Sequence, residues 1–110
     1  MTPRQQLQHY FDVFFVSHDF DSLAEIFHDD LQFRGPLYSF DSAAEYIASL
    51  KHDPPFDCRY EKRFECDGEE GINVIYRFLK PGLSVEMSQL FQFRNNKISR
   101  ILLIFDSSRF

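Results

Sequence analysis

Two histidine–aspartate groups are the first residues that could do chemistry: His18-Asp19, and further on His28-Asp29-Asp30. Imidazole and carboxylate side chains make metal centres and acid–base pairs. A zinc or iron centre needs three or four convergent ligands, and residues adjacent in sequence seldom point together. Both groups fall where helices end, so they read as caps and solvated loop charges. No metal and no other cofactor is expected. His9 lies on the polar side of a helix and His52 ends another, and both read as surface histidines.

Four other positions carry a choice of roles. Lys62 shares strand parity with Tyr60 and Phe64. It is either a cation at a pocket rim or, through a bulge or a snorkelling stem, a solvated one, and the second reading is preferred. Arg34 either grips a ligand carboxylate or pairs with Asp29 or Asp30, and pairing is preferred. Cys58 and Cys66 sit on one strand, roughly 26 Å apart if it is straight, beyond disulfide reach, so two free thiols are expected. Gln89 is the isolated polar residue in the alternation Val85, Met87, Gln89, Phe91, Phe93. An amide in an apolar wall suits orienting one carbonyl or hydroxyl, or bonding to a neighbour such as Tyr10.

The elements that must position these residues follow from periodicity and caps. Thr2-Pro3-Arg4-Gln5 is a capping box with proline at the first helical position. Leu7, Tyr10, Phe11, Phe14 and Phe15 then form one apolar face of a helix of about four turns ending near Ser17-His18-Asp19. Ser22-Leu23-Ala24-Glu25 repeats the box and predicts a short helix carrying Leu23, Ile26 and Phe27, closed by His28-Asp29-Asp30. Leu31 to Arg34 alternates as a strand that Gly35-Pro36 ends. Ser42-Ala43-Ala44-Glu45 starts a helix with Ala43, Tyr46, Ile47 and Leu50 on its apolar face, stopped by Asp53-Pro54-Pro55. Beyond Pro55 the period is two. Phe56, Cys58, Tyr60, Phe64 and Cys66 share one face, followed by strands Ile72–Lys80, Leu83–Arg94 and Lys97–Phe105. Helices that precede a mostly antiparallel meander make an α+β fold. The tail from Asp106 is expected to be loose.

Composition narrows the class. Of 110 residues, 44% are hydrophobic and 26% charged, which fits one globular domain over residues 1–110 and excludes a disordered or collagen-like chain. A net charge of -5 argues against a nucleic-acid partner. No apolar run approaches the roughly 18 residues of a membrane helix, and the first residues lack a signal-peptide core. A cytoplasmic protein with no membrane partner is expected. Fourteen Phe and five Tyr, with no Trp, forecast an aromatic interior.

The stretches Phe20–Asp30, Phe33-Arg34-Gly35-Pro36, Ser42–Ile47 and Lys97–Ile101 resemble the nuclear transport factor 2-like superfamily. Its branches include SnoaL-like polyketide cyclases, ketosteroid isomerase and scytalone dehydratase. The resemblance covers nearly the whole chain. It implies a cone-shaped curved sheet wrapped round a long N-terminal helix, with a pocket inside. It does not carry the isomerase activity. The isomerase base stands just before the proline after the first strand, and that position is Gly35. Its oxyanion-hole positions align with Phe11, with Tyr10 one residue away, and with Gln89, which cannot take up a proton. The dehydratase histidines and tyrosines have no clear match, so no catalytic residue is assigned.

If the concave face carries the Gln89 parity, the expected ligand-binding set is Tyr10, Phe11, Phe14, Phe33, Tyr46, Tyr60, Met87, Gln89, Phe91 and Leu103. Ile101 and Phe105 share that face. The function expected is binding of a small apolar ligand, with no reaction assigned; the alternative is a cone filled by Phe and a non-catalytic interaction module. The last strand is apolar on both sides, with Ile98, Leu102 and Ile104 opposite Ile101, Leu103 and Phe105. Ile75, Leu79, Leu90, Leu102 and Ile104 would form an outer patch suited to a homodimer through the sheet, as many members of the superfamily form.

Overall fold

A computed structural model describes residues 1–110. Helix α1 spans Pro3–Asp12. The Thr2 hydroxyl accepts from the Gln5 amide at 3.2 Å, and the Gln5 side chain accepts from the Thr2 amide at 2.9 Å, closing the capping box. The helix continues as a single π turn, Val13–Ser17, closed by His18 in the left-handed region at φ 58°.

The second capping box does not start an α-helix. Phe20–Glu25 forms a 3₁₀ segment. The Ser22 hydroxyl turns back to the Asp19 carbonyl at 2.7 Å and meets His9 Nε2 at 3.0 Å. The buried residues are Phe20, Leu23 and Ile26. Their spacing of three is the 3₁₀ repeat, which outweighs the local cap. Phe27, expected on that helix, opens strand β1, Phe27–Arg34.

Strand β2 is only Ser39–Phe40, and helix α2 runs Ala43–His52 from its Ser42 cap. The remaining strands are β3 Arg59–Gly68, β4 Gly71–Lys80, β5 Leu83–Arg94 and β6 Lys97–Ile104. One curved, unclosed sheet takes the order β2-β1-β6-β5-β4-β3, antiparallel except where β1 runs parallel to β6. α1 lies against its concave side, burying Leu7, Tyr10 and Phe11. The tail is not loose. Asp106 caps a 3₁₀ turn, Ser107–Arg109, and Phe110 packs on Phe105 and Phe78 with ring centroids 5.0 and 5.9 Å apart.

Bulges revise three faces. In β3, Lys62 pairs with Tyr76 but Phe64 pairs with Ile75, so Arg63 is the extra residue. Beyond it the parity inverts: Phe64 and Cys66 face outward and are exposed, while Glu65 turns inward. In β6, Gln92 pairs with Arg100 but Phe93 with Ile98, so Ser99 is the extra residue and Ile98 is fully buried rather than on the outer face. In β1 the register jumps between Phe27 and Gln32, and His28, Asp29 and Asp30 bulge from the strand instead of closing a helix.

Candidate functional site

Lys62, Arg34 and the His28–Asp30 group are tied into the fold. Lys62 keeps its inward parity, but its ammonium leaves for solvent and pairs with Glu65 at 3.3 Å. Arg34 pairs with Asp41 at 2.7 Å rather than with Asp29 or Asp30, and it also donates to the Phe33 and Phe40 carbonyls, both at 2.9 Å. Its guanidinium stitches β1 to β2. Arg94 ties down the β1 bulge through Asp30 at 2.5 Å and His28 at 3.0 Å. Although desolvation works the other way, Arg94 and His28 hold the Asp30 carboxyl below its ordinary value. Both thiols are free: Cys66 is exposed, while Cys58 is buried and donates to the Pro55 carbonyl at 3.3 Å. Burial pushes the Cys58 thiol up, away from the reactive thiolate.

The cone holds an open cavity of about 420 Å³. That lies within the roughly 300–1,000 Å³ of small-molecule sites. Of the expected residues, Tyr10 and Phe14 reach it from the first helix, Phe33 from β1 and Tyr46 from α2. Met87 and Gln89 reach it from β5 and Leu103 from β6. The π turn lets the neighbours Phe14 and Phe15 both face inward. Phe11, Tyr60 and Phe91 do not line it. Phe11 and Phe91 are buried behind the wall, 6.0 Å apart, and Tyr60 caps Phe11 from β3 at 4.9 Å. Tyr76, Phe78, Phe40 and Phe110 line the cavity without having been expected there. Placing Ile75 and Leu79 on the outer face already implied an inward Tyr76 and Phe78, and the pairing of Tyr76 with Met87 sets them beside the cavity residues of β5.

At the floor four polar side chains form one chain of hydrogen bonds. The Tyr76 hydroxyl donates to Gln89 Oε1 at 2.9 Å. Gln89 Nε2 donates to the Tyr10 hydroxyl at 3.1 Å. The Tyr10 and Tyr46 hydroxyls are 2.6 Å apart. Gln89 is 2% exposed, so this amide points inward and is partnered on both sides.

A proton count shows what the chain can do. Tyr76 spends its hydroxyl proton on Gln89, and Gln89 spends an amide proton on Tyr10. Tyr10 and Tyr46 then share one contact and hold two hydroxyl protons, so one O–H is surplus. Burial pushes the Tyr10 phenol up to about 12, its bonds to Tyr46 and Gln89 pulling the other way. Burial, with neighbouring phenols adding to it, also raises Tyr46 and Tyr76. These hydroxyls are donors at neutral pH and not bases.

Solved structures give the frame a family context. A nuclear transport factor 2-like protein of unknown function from Cytophaga hutchinsonii superposes with a TM-score of 0.83 at 15% identity, covering 98% of this chain and 93% of its own. This is the nuclear transport factor 2-like fold. A candidate ketosteroid isomerase from Kribbella flavida matches at TM-score 0.80 and 13% identity over 96% of this chain and 78% of its own. A candidate isomerase of the SnoaL-like family from Agrobacterium tumefaciens matches at 0.72 and 12%, over 96% and 97%. No protein-family model matches the sequence, and no curated protein matches it.

Within the nuclear transport factor 2-like cone, the residue bonded to Gln89 is Tyr10, while Phe11 packs against Phe91. Gly35 lines the cavity before Pro36, where a Cβ would come within 3.3 Å of Phe33 Cε1 and 3.5 Å of the Tyr38 carbonyl. The first strand supplies no carboxylate there.

Proposed function

We propose that this chain binds a small, mostly apolar ligand in the cone through a ligand oxygen that accepts a hydrogen bond from the Tyr10–Tyr46 pair. The observation that carries this is the surplus hydroxyl proton at the floor of an aromatic cavity. A buried donor without an acceptor costs about 1–3 kcal/mol, so an occupant with an acceptor is favoured over a plain hydrocarbon. The floor polarises an oxygen and abstracts no proton. The two free thiols fit the cytoplasm as the compartment.

The test compares 4-phenylphenol with biphenyl by calorimetry. The phenol is expected to bind more tightly, and Tyr10→Phe/Tyr46→Phe is expected to weaken it about 3- to 10-fold while leaving biphenyl unchanged. Failure of both compounds to bind refutes the reading.

A second reading concerns the outer sheet face, and it is compatible with the first. The β3 bulge adds Phe64 to the expected patch, in a cross-strand row Phe64–Ile75–Ser88–Ile104 beside Leu90–Leu102. Phe64 is 49% and Ile104 58% exposed. Arg63, Arg77 and Glu86 form a charged rim, with Arg63 Nε 3.1 Å from Glu86 Oε1. An apolar centre with a polar rim is the anatomy of an interface. The proposed occupant is a second copy of this chain. Light scattering at micromolar concentration is expected to give a dimer, and Ile104→Asp a monomer with unchanged circular dichroism. A monomeric wild type refutes it.

A further inference from the structure

The cavity is polar at two places, and one helix connects them. α2 carries Tyr46 at the floor and Ser49 part-way up, and His52 with Asp53 lines the mouth at its C-terminal end. Tyr46, Ser49 and Leu50 fall at i, i+3 and i+4, one face of the helix, and Asp53 follows its last residue with non-helical backbone. Six residues of helical rise put the backbone of His52 about 9 Å further along the α2 axis than that of Tyr46. Between them the walls are aromatic and aliphatic, Phe14 and Phe33 among them.

The mouth groups are not committed elsewhere. The Asp53 amide donates to the Ser49 carbonyl at 3.0 Å, but neither the Asp53 carboxylate nor the His52 ring takes part in an ion pair or side-chain hydrogen bond of the fold. The neighbouring cation, Lys51, is held by Asp21 at 3.0 Å. The mouth therefore offers a carboxylate acceptor beside an imidazole, which suits a group that donates a hydrogen bond and not an anion.

Resting on the pocket reading above, we infer that the ligand is polar at both ends: an acceptor oxygen at Tyr10 and Tyr46, and at its far end a hydroxyl that donates to Asp53, next to His52. His52 and Asp53 are then specificity determinants. They select ligand length and the second polar end, while the floor selects the first.

The test sets 4,4′-dihydroxybiphenyl against 4-phenylphenol, which differ by one terminal hydroxyl. The second hydroxyl is expected to strengthen binding to wild type about tenfold and to add nothing in His52→Ala/Asp53→Ala. The readout is the ratio of the two affinities within each protein, so any general change in binding caused by the double substitution cancels. Equal binding of the two compounds to wild type overturns the inference and leaves the pocket reading standing. A tenfold gain that survives the double substitution overturns the assignment to His52 and Asp53. Binding of neither compound refutes the pocket reading, and this inference with it.

Discussion

Phe91→Ala is expected to destabilise the fold by about 3–5 kcal/mol, the usual cost of emptying a fully buried aromatic site. Phe91 is 0% exposed, three residues before the end of β5. Its ring meets Tyr10 at 5.4 Å and Phe11 at 6.0 Å, and its backbone pairs with Ile72 on one side and Ile101 on the other. Removing it leaves the α1–sheet contact without its central ring. Domains of this size have about 5–15 kcal/mol of total stability, so the loss is a large share. Urea unfolding measures it, with Phe64→Ala on the outer face as the comparison. A loss below about 1 kcal/mol would place Phe91 on a yielding cavity wall and contradict its role in the core. The same substitution separates core from site: Phe91 shares strand parity with Gln89, yet only Gln89 and Met87 of that stretch reach the cavity.

Parity and position along a strand are different kinds of information, and this explains what the sequence disclosed. The alternation Val85–Phe93 correctly put Gln89 on the concave side, because β5 has no extra residue of its own. Where one inserted residue shifts the register, as at Arg63 and Ser99, alternation fails beyond it, and nothing in the amino-acid types marks those positions. Phe64 and Ile98 exchanged faces with expectation for that reason alone. Capping boxes behaved similarly. Thr2 and Ser42 cap real helices, while Ser22 has the same local pattern but sits where Phe20, Leu23 and Ile26 must all be buried. The parallel pairing of β1 with β6 joins distant segments, with the Ile98 amide donating to the Ile26 carbonyl at 2.8 Å, and no local signal reports it.

The site divides along the same line. Single residues of the floor were legible as polar exceptions in apolar patterns. The Gln89–Tyr10 bond was one of the two readings of Gln89 and is present; its extension to Tyr46 and Tyr76 was not legible, because the four residues come from four elements. Tyr10 and Phe11 are neighbours on α1, and helix rotation alone decides which of them meets Gln89.

Alkaline titration should expose that chain of hydrogen bonds directly. Tyr10 is raised from 10.0 to about 12, and Tyr46 and Tyr76 are raised as well, burial being the largest cause in each case. A folded-state value above the unfolded one means the fold favours the protonated phenol. The resulting stability is present in full below pH 10, where neither state ionises. It declines as the pH climbs past 10, because the unfolded chain releases protons that the folded chain retains. For Tyr10 alone the difference amounts to about 2 kcal/mol by pH 12. The protein is therefore expected to unfold cooperatively between about pH 10 and 12, with phenolate absorbance and circular dichroism changing together. Of five tyrosines, at most two should ionise before that transition. Three or more phenolates in a protein with intact circular dichroism would show that water and hydroxide reach the floor freely, and the surplus proton there would then be shared with solvent instead of being held for a ligand.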